Sequence, residues 1–157
     1  MPVRKLKEFL DQNHVRYEVL NHAVAFPAQE TAAKAHVKGK ELAKTVMIKI
    51  DGKMAMAVIP ANERVNLGML EEITGAGKVE LASEYEFRNK FPDCEPGAMP
   101  PFGNLYGMSV FVSETLSEDE EIAFNAGTHT ELIKLSYDDF ERLVQPTILG
   151  FTVHHRA

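Results

Sequence analysis

An apolar hairpin in the first half of the chain constrains the fold most. Thr45-Val46-Met47-Ile48-Lys49-Ile50 and Met54-Ala55-Met56-Ala57-Val58-Ile59 flank Asp51-Gly52, a dipeptide that tolerates the positive φ of a tight hairpin turn. The second strand is apolar on both faces. A strand of that kind cannot sit at a solvated edge, so it belongs at the centre of a sheet covered on each side. In the first strand, alternation puts Lys44 on the side of Val46, Ile48 and Ile50, and Lys49 with Thr45 and Met47 on the other.

The rest of the chain supplies the covering layers. Val3, Leu6 and Leu10 recur at helical spacing, Phe9 widens the stripe, and Asn13-His14 closes it. Residues 15–20 alternate as a half-buried strand. Pro27 stops it, and 28–36 is rich in helix formers, with Gly39 as the break. Asn66 caps a short helix carrying Leu67, Leu70 and Ile73, ended by Gly75; a short strand follows over 78–81. Ser83 and Glu86 form a capping-box pair for a helix reaching about Lys90. Strands are predicted over 105–112, 122–125 and 131–135. Ser136 with Asp139 begins a last helix, Pro146 stops it, and an edge strand is expected over 147–153. Helices and strands intermingle without a strict βαβ rhythm. The expectation is one α/β domain over residues 1–157, a mixed sheet surrounded by helices.

Composition excludes several function classes. The net charge of −6 argues against a broad nucleic-acid-coating surface. Lys34, Lys38, Lys40 and Lys44 nonetheless form a local basic stretch opposed only by Glu41, which is either a solvated face or a contact patch. No apolar run is long enough to span a membrane, the first residues lack a secretory core, and Cys94 is the single cysteine. A cytoplasmic address without disulfides is expected, with Cys94 read as a small hydrophobe rather than a nucleophile. No phosphate loop, dinucleotide fingerprint, nucleophile elbow or paired-histidine spacing occurs, so neither a metal nor a cofactor is expected.

Four places remain for chemistry. Gly97-Ala98-Met99-Pro100-Pro101-Phe102-Gly103, entered through Asp93-Cys94-Glu95-Pro96, fits no helix or central strand. Its apolar residues set among prolines and glycines make it either a stiff structural turn or a pocket wall. Lys44, on an apolar face, either snorkels outward or serves a ligand. His22 follows a strand, and His129 sits in the connection Ala126-Gly127-Thr128-His129-Thr130; each is a structural histidine or a pocket residue, His129 the better candidate for the second role.

The order of these pieces resembles the YbaK/prolyl-tRNA synthetase-associated family of editing domains. The matching features are His22, Ala43-Lys44-Thr45 leading into a strand, Asp51-Gly52, the Gly97-x-x-x-Pro101-x-Gly103 loop and Ala126-Gly127-Thr128-His129. The resemblance implies a partly barrel-like mixed sheet and a free-standing deacylase that hydrolyses the ester of a mischarged aminoacyl-tRNA. By that likeness Lys44 is the essential lysine, Gly97, Ala98, Met99, Pro101 and Gly103 belong to the substrate loop, and Gly127 and His129 to the pocket opposite. Alanine, serine or threonine is favoured over cysteine as the amino acid, because the loop interior departs from that of cysteine-specific relatives. Aminoacyl-tRNA is the implied partner, an aminoacyl-tRNA synthetase a second one, and Lys34, Lys38 and Lys40 are candidate tRNA contacts. A non-catalytic tRNA- or synthetase-binding module, or a binder or hydrolase of another small aminoacyl or nucleotide ligand, are the rival readings.

Overall fold

The computed structural model describes residues 3–21 and 39–154. The expected hairpin is its centre: β2 (Leu42–Ile50) and β3 (Lys53–Pro60) pair antiparallel from Ala43↔Pro60 to Ile50↔Lys53, following β1 (Tyr17–Asn21) in the chain. Asp51 and Gly52 turn the chain with φ of 49° and 84°, the positive values that Asp-Gly accommodates. β3 is buried along Ala55–Pro60. Met56 and Val58 enter the main core on one face; Ala55, Ala57 and Ile59 enter a second core on the other. The sequence pattern therefore predicts its central place correctly.

The elements around it follow in order. α1 (Arg4–Gln12) buries Leu6 and Leu10 against the main core, each side chain contributing about 1.5–3 kcal/mol. After the hairpin come β4 (Glu63–Val65), α2 (Leu67–Thr74), β5 (Val79–Leu81) and α3 (Glu84–Phe87). The Asn66 side chain accepts from Met69 N at 3.0 Å and Gly75 ends α2 with φ 73°, as its caps predict. Ser83 and Glu86 close a capping box on α3, which continues as a 3-10 turn over Arg88–Lys90. The second half holds β6 (Ser109–Ser113), α4 (Glu114–Ser117), β7 (Glu121–Asn125), β8 (Glu131–Ser136), α5 (Tyr137–Val144), β9 (Thr147–Leu149) and β10 (Thr152–His154).

The large sheet runs β1-β8-β7-β2-β3-β6-β9, with β5 also on β2. β2 pairs parallel with β7, β3 with β6 and β6 with β9, while the other ladders are antiparallel. This is the mixed sheet expected. β2 changes partner along its length, from β7 at Leu42 and Ala43 to β5 at Ile48–Ile50.

Two sequence expectations need correction. The strand expected over 105–112 begins at Ser109, because Gly103–Leu105 forms a 3-10 turn and Gly103 O accepts from both Tyr106 N and Met108 N at 2.9 Å. The edge strand expected over 147–153 is two strands. β9 stays at the edge of the large sheet, whereas β10 pairs with β4 in a separate ribbon, Val153 opposite Arg64. Phe151, fully buried in the second core, anchors the break between them. The predicted helix over 28–36 lies outside the described residues.

Candidate functional site

The proline-glycine loop is an ordered part of the core. Ala98, Met99 and Phe102 are buried, as are Pro100, Pro101 and Gly103. Phe102 is the anchor, its ring centre 5.4 Å from that of Phe124, 5.5 Å from Phe140 and 6.1 Å from Phe9. Gly103 is enclosed; a Cβ there would stand 2.6 Å from Met108 O.

A second loop clamps the first. Glu95 N donates to Gly127 O at 2.7 Å, and Gly127 N donates to Ala98 O at 2.9 Å. His129 N donates to the Glu95 carboxylate at 2.6 Å. His129 Nε2 lies 2.7 Å from Pro96 O; a carbonyl only accepts, so Nε2 carries the proton. The imidazole also packs beside Gly97, which has φ 83° and whose Cβ would sit 3.5 Å from His129 Cε1. His129 is buried, so this histidine holds the loop in shape at the very place where the sequence suggests a pocket residue. Glu95, which sequence reasoning missed, fastens the same joint; its only sequence signal is its place at the loop entrance.

Lys44 lies at the same end of the sheet. β7 runs beside β2 at Leu42↔Ala123 and Ala43↔Phe124; Lys44 directly follows the last paired residue of β2, and Asn125, which precedes Ala126-Gly127, directly follows that of β7. The lysine is half-buried and its Nζ donates to Ala61 O at 3.5 Å. Burial pulls its pKa below the usual lysine value, and the nearby Glu63 carboxylate pushes it back up. Asn125 itself carries a buried Oδ1 with no hydrogen-bond partner among the described residues. Neither Glu63 nor Asn125 carries a motif; both are recognised only once strands distant in sequence are brought together.

Other candidates fall elsewhere. Lys40 is exposed at the start of this region, and His22, Lys34 and Lys38 lie outside the described residues. Cys94 is half-buried, its Sγ 3.7 Å from the Tyr106 hydroxyl, and burial pushes its thiol pKa up. An activated nucleophile needs the opposite shift, which supports the reading of Cys94 as a small hydrophobe. Among the described residues no cluster of histidine, cysteine and carboxylates is arranged to hold a metal. No described helix is long and apolar enough to cross a membrane. A groove of about 640 Å³ lined by Asp11, Arg16, Tyr17, Glu121 and Lys134, among others, contains none of the candidate residues.

These features define a mixed-sheet α/β domain in which a glycine-proline loop is clamped by the connection after β7, with a half-buried lysine on the neighbouring β2. The chain belongs to the aminoacyl-tRNA editing domain family, whose model matches residues 22–143. It is 27% identical over 156 residues to the multifunctional Ser/Thr-tRNA deacylase ProXp-y of Escherichia coli (strain K12), covering 94% of this chain and 91% of that protein. It is 31% identical over 89 residues to a proline–tRNA ligase of Bacillus cytotoxicus, a match that takes in 57% of this chain and 16% of the ligase. In fold it resembles a protein described as a candidate trans-editing enzyme for prolyl tRNA synthetase, with a TM-score of 0.82 at 17% identity over 96% of both chains. A hypothetical protein of known structure superposes with a TM-score of 0.84 at 19% identity, over 96% of this chain and 100% of the other.

Proposed function

We propose that this protein is an aminoacyl-tRNA deacylase that removes a small amino acid, serine, threonine or alanine, from a tRNA mischarged by a synthetase. The observation that carries the reading is the membership of the editing-domain family together with likeness along nearly the whole chain to a Ser/Thr-tRNA deacylase. A hydrolytic second sieve has a physical reason. One methylene gives a synthetase pocket only about 1–3 kcal/mol of discrimination, too little for accurate charging.

The chemistry suits the residues. An aminoacyl ester is already activated, so orientation and charge stabilisation are the main requirements. The backbone of Gly97–Pro101, held by Gly127 and His129, orients the aminoacyl group. Water adds to the ester carbonyl and loses a proton; the tetrahedral oxyanion collapses, breaks the bond to the ribose oxygen, and that oxygen takes a proton. The Lys44 ammonium stabilises the oxyanion. No enzyme nucleophile is required, in keeping with the raised thiol of Cys94. Lys34, Lys38 and Lys40 contribute local attraction for tRNA on an otherwise acidic chain.

The test is a panel of seryl-, threonyl-, alanyl- and cysteinyl-tRNAs, assayed with wild type and Lys44→Ala. The expected result is turnover of the first three, and a loss of about 100-fold or more in the variant. Folded wild-type protein that binds tRNA but turns over none of the four overturns the deacylase reading in favour of a binding module.

A further inference from the structure

Glu63 is 4% exposed, at the start of β4. Its Oε1 accepts from Thr115 Oγ1 at 2.8 Å and from Thr152 Oγ1. Ser113 Oγ links those two hydroxyls, 2.8 Å from Thr115 and 2.9 Å from Thr152. A carboxylate taken out of water is costly unless hydrogen bonds and opposite charge compensate it. The hydroxyls supply the hydrogen bonds, and the cation whose field it feels is Lys44, bonded to Ala61 O two residues before Glu63.

We infer that Glu63 is a positioning residue: the buried counter-charge, held by Thr115, Thr152 and Ser113, that keeps Lys44 an ammonium ion and directs it at the reacting ester. The inference rests on the proposed role of Lys44, but the charge coupling exists whatever the substrate. The carboxylate itself touches no substrate. It acts through Lys44, whose burial alone favours the neutral amine. Asp119, in the turn before β7, feels the charge of Glu63, together with those of Glu118 and, from the entry to β2, Lys40 and Glu41.

The experiment compares wild type with Glu63→Gln, whose amide oxygen still accepts from both threonines. Lysines are labelled by reductive ¹³C-methylation and titrated by NMR, with exposed Lys53 as internal reference. Removing the carboxylate is expected to lower the Lys44 titration by about one pH unit, a tenfold change in the ammonium-to-amine ratio, and to leave Lys53 in place. Where Glu63→Gln does not fold, Glu63→Met removes the same charge and leaves Ser113 to partner the two threonines. A Lys44 titration that does not move in a folded variant overturns the coupling. The pH profile of kcat/KM separates this from the proposed function. If Lys44 acts as ammonium, the basic limb moves down with the titration. If the titration moves and activity rises instead, the coupling stands and the ammonium role is refuted.

Discussion

Replacing Gly127 with alanine tests the clamp directly. The residue has φ 98°, and a Cβ there would overlap Val3 Cγ2, with Val3 Cβ at 3.2 Å and Cys94 Sγ at 3.7 Å. The backbone term for an L-residue forced into the left-handed region is about 1–2 kcal/mol. Crowding of Val3, which is 5% exposed and donates its N–H to Ala126 O at 2.9 Å, adds about 1–3 kcal/mol. Gly127→Ala is therefore expected to destabilise the protein by about 2–5 kcal/mol, which for a chain of this size lowers Tm by roughly 4–20 °C. The measurement is urea unfolding followed by circular dichroism. Val3→Ala alone costs about 2 kcal/mol through its lost methyls. In the double variant the smaller side chain makes room for the new Cβ, so the two effects should fall short of their sum by at least 1 kcal/mol, while the φ term persists. Gly127→Ala within about 0.5 kcal/mol of wild type, or strict additivity in the double variant, would refute the argument.

Two further outcomes follow from burial. Burial foremost, with Glu41, Glu118 and Glu63 adding to it and Lys40 opposing, raises the Asp119 carboxyl to about 6. The folded protein then binds this proton more tightly than the unfolded chain, so stability declines as pH rises from the ordinary carboxylate range through 6. Asp119→Asn should flatten thermal stability across that window and raise it above pH 6; curves that superimpose on wild type would contradict the assignment. Phe102→Ala removes the buried ring between Phe9, Phe124 and Phe140 and should cost about 3–5 kcal/mol in denaturant unfolding, far more than a solvated loop residue would.

What the sequence made legible was local. Asp51-Gly52, Asn66, Gly75 and the Ser83–Glu86 pair act within a few residues, and each stands where its chemistry predicts. Period-2 reasoning put Lys44 on the side of Val46, Ile48 and Ile50; the structure shows Lys44 half-buried and both faces of β2 covered, Ala43 and Met47 in the main core and Ile48 in the second. What stayed hidden depended on distant partners. Nothing in Asn62-Glu63-Arg64 announces a buried acid, because its hydrogen bonds come from Thr115 on the short helix α4 and Thr152 on β10, both distant in sequence. The split between β9 and β10 was hidden for the same reason. Residues 147–153 form a continuous extended pattern, and only the presence of β4 draws the second half away. His129 was picked out by its loop, but its hold on Pro96 requires a chain segment more than thirty positions earlier.

The parallel meeting of β2 and β7 has a kinetic consequence. Their shared ladder involves Leu42–Ala43 and Ala123–Phe124 only, and it joins parts of the chain far apart in sequence. Contacts of that kind close late, after a large loop has been ordered, whereas the β2–β3 hairpin zips from its own turn. The lysine rides on the early-forming hairpin, while the connection that clamps the glycine-proline loop rides on β7. A local opening that parts these two strands thus separates Lys44 from the connection that clamps the loop while the hairpin survives.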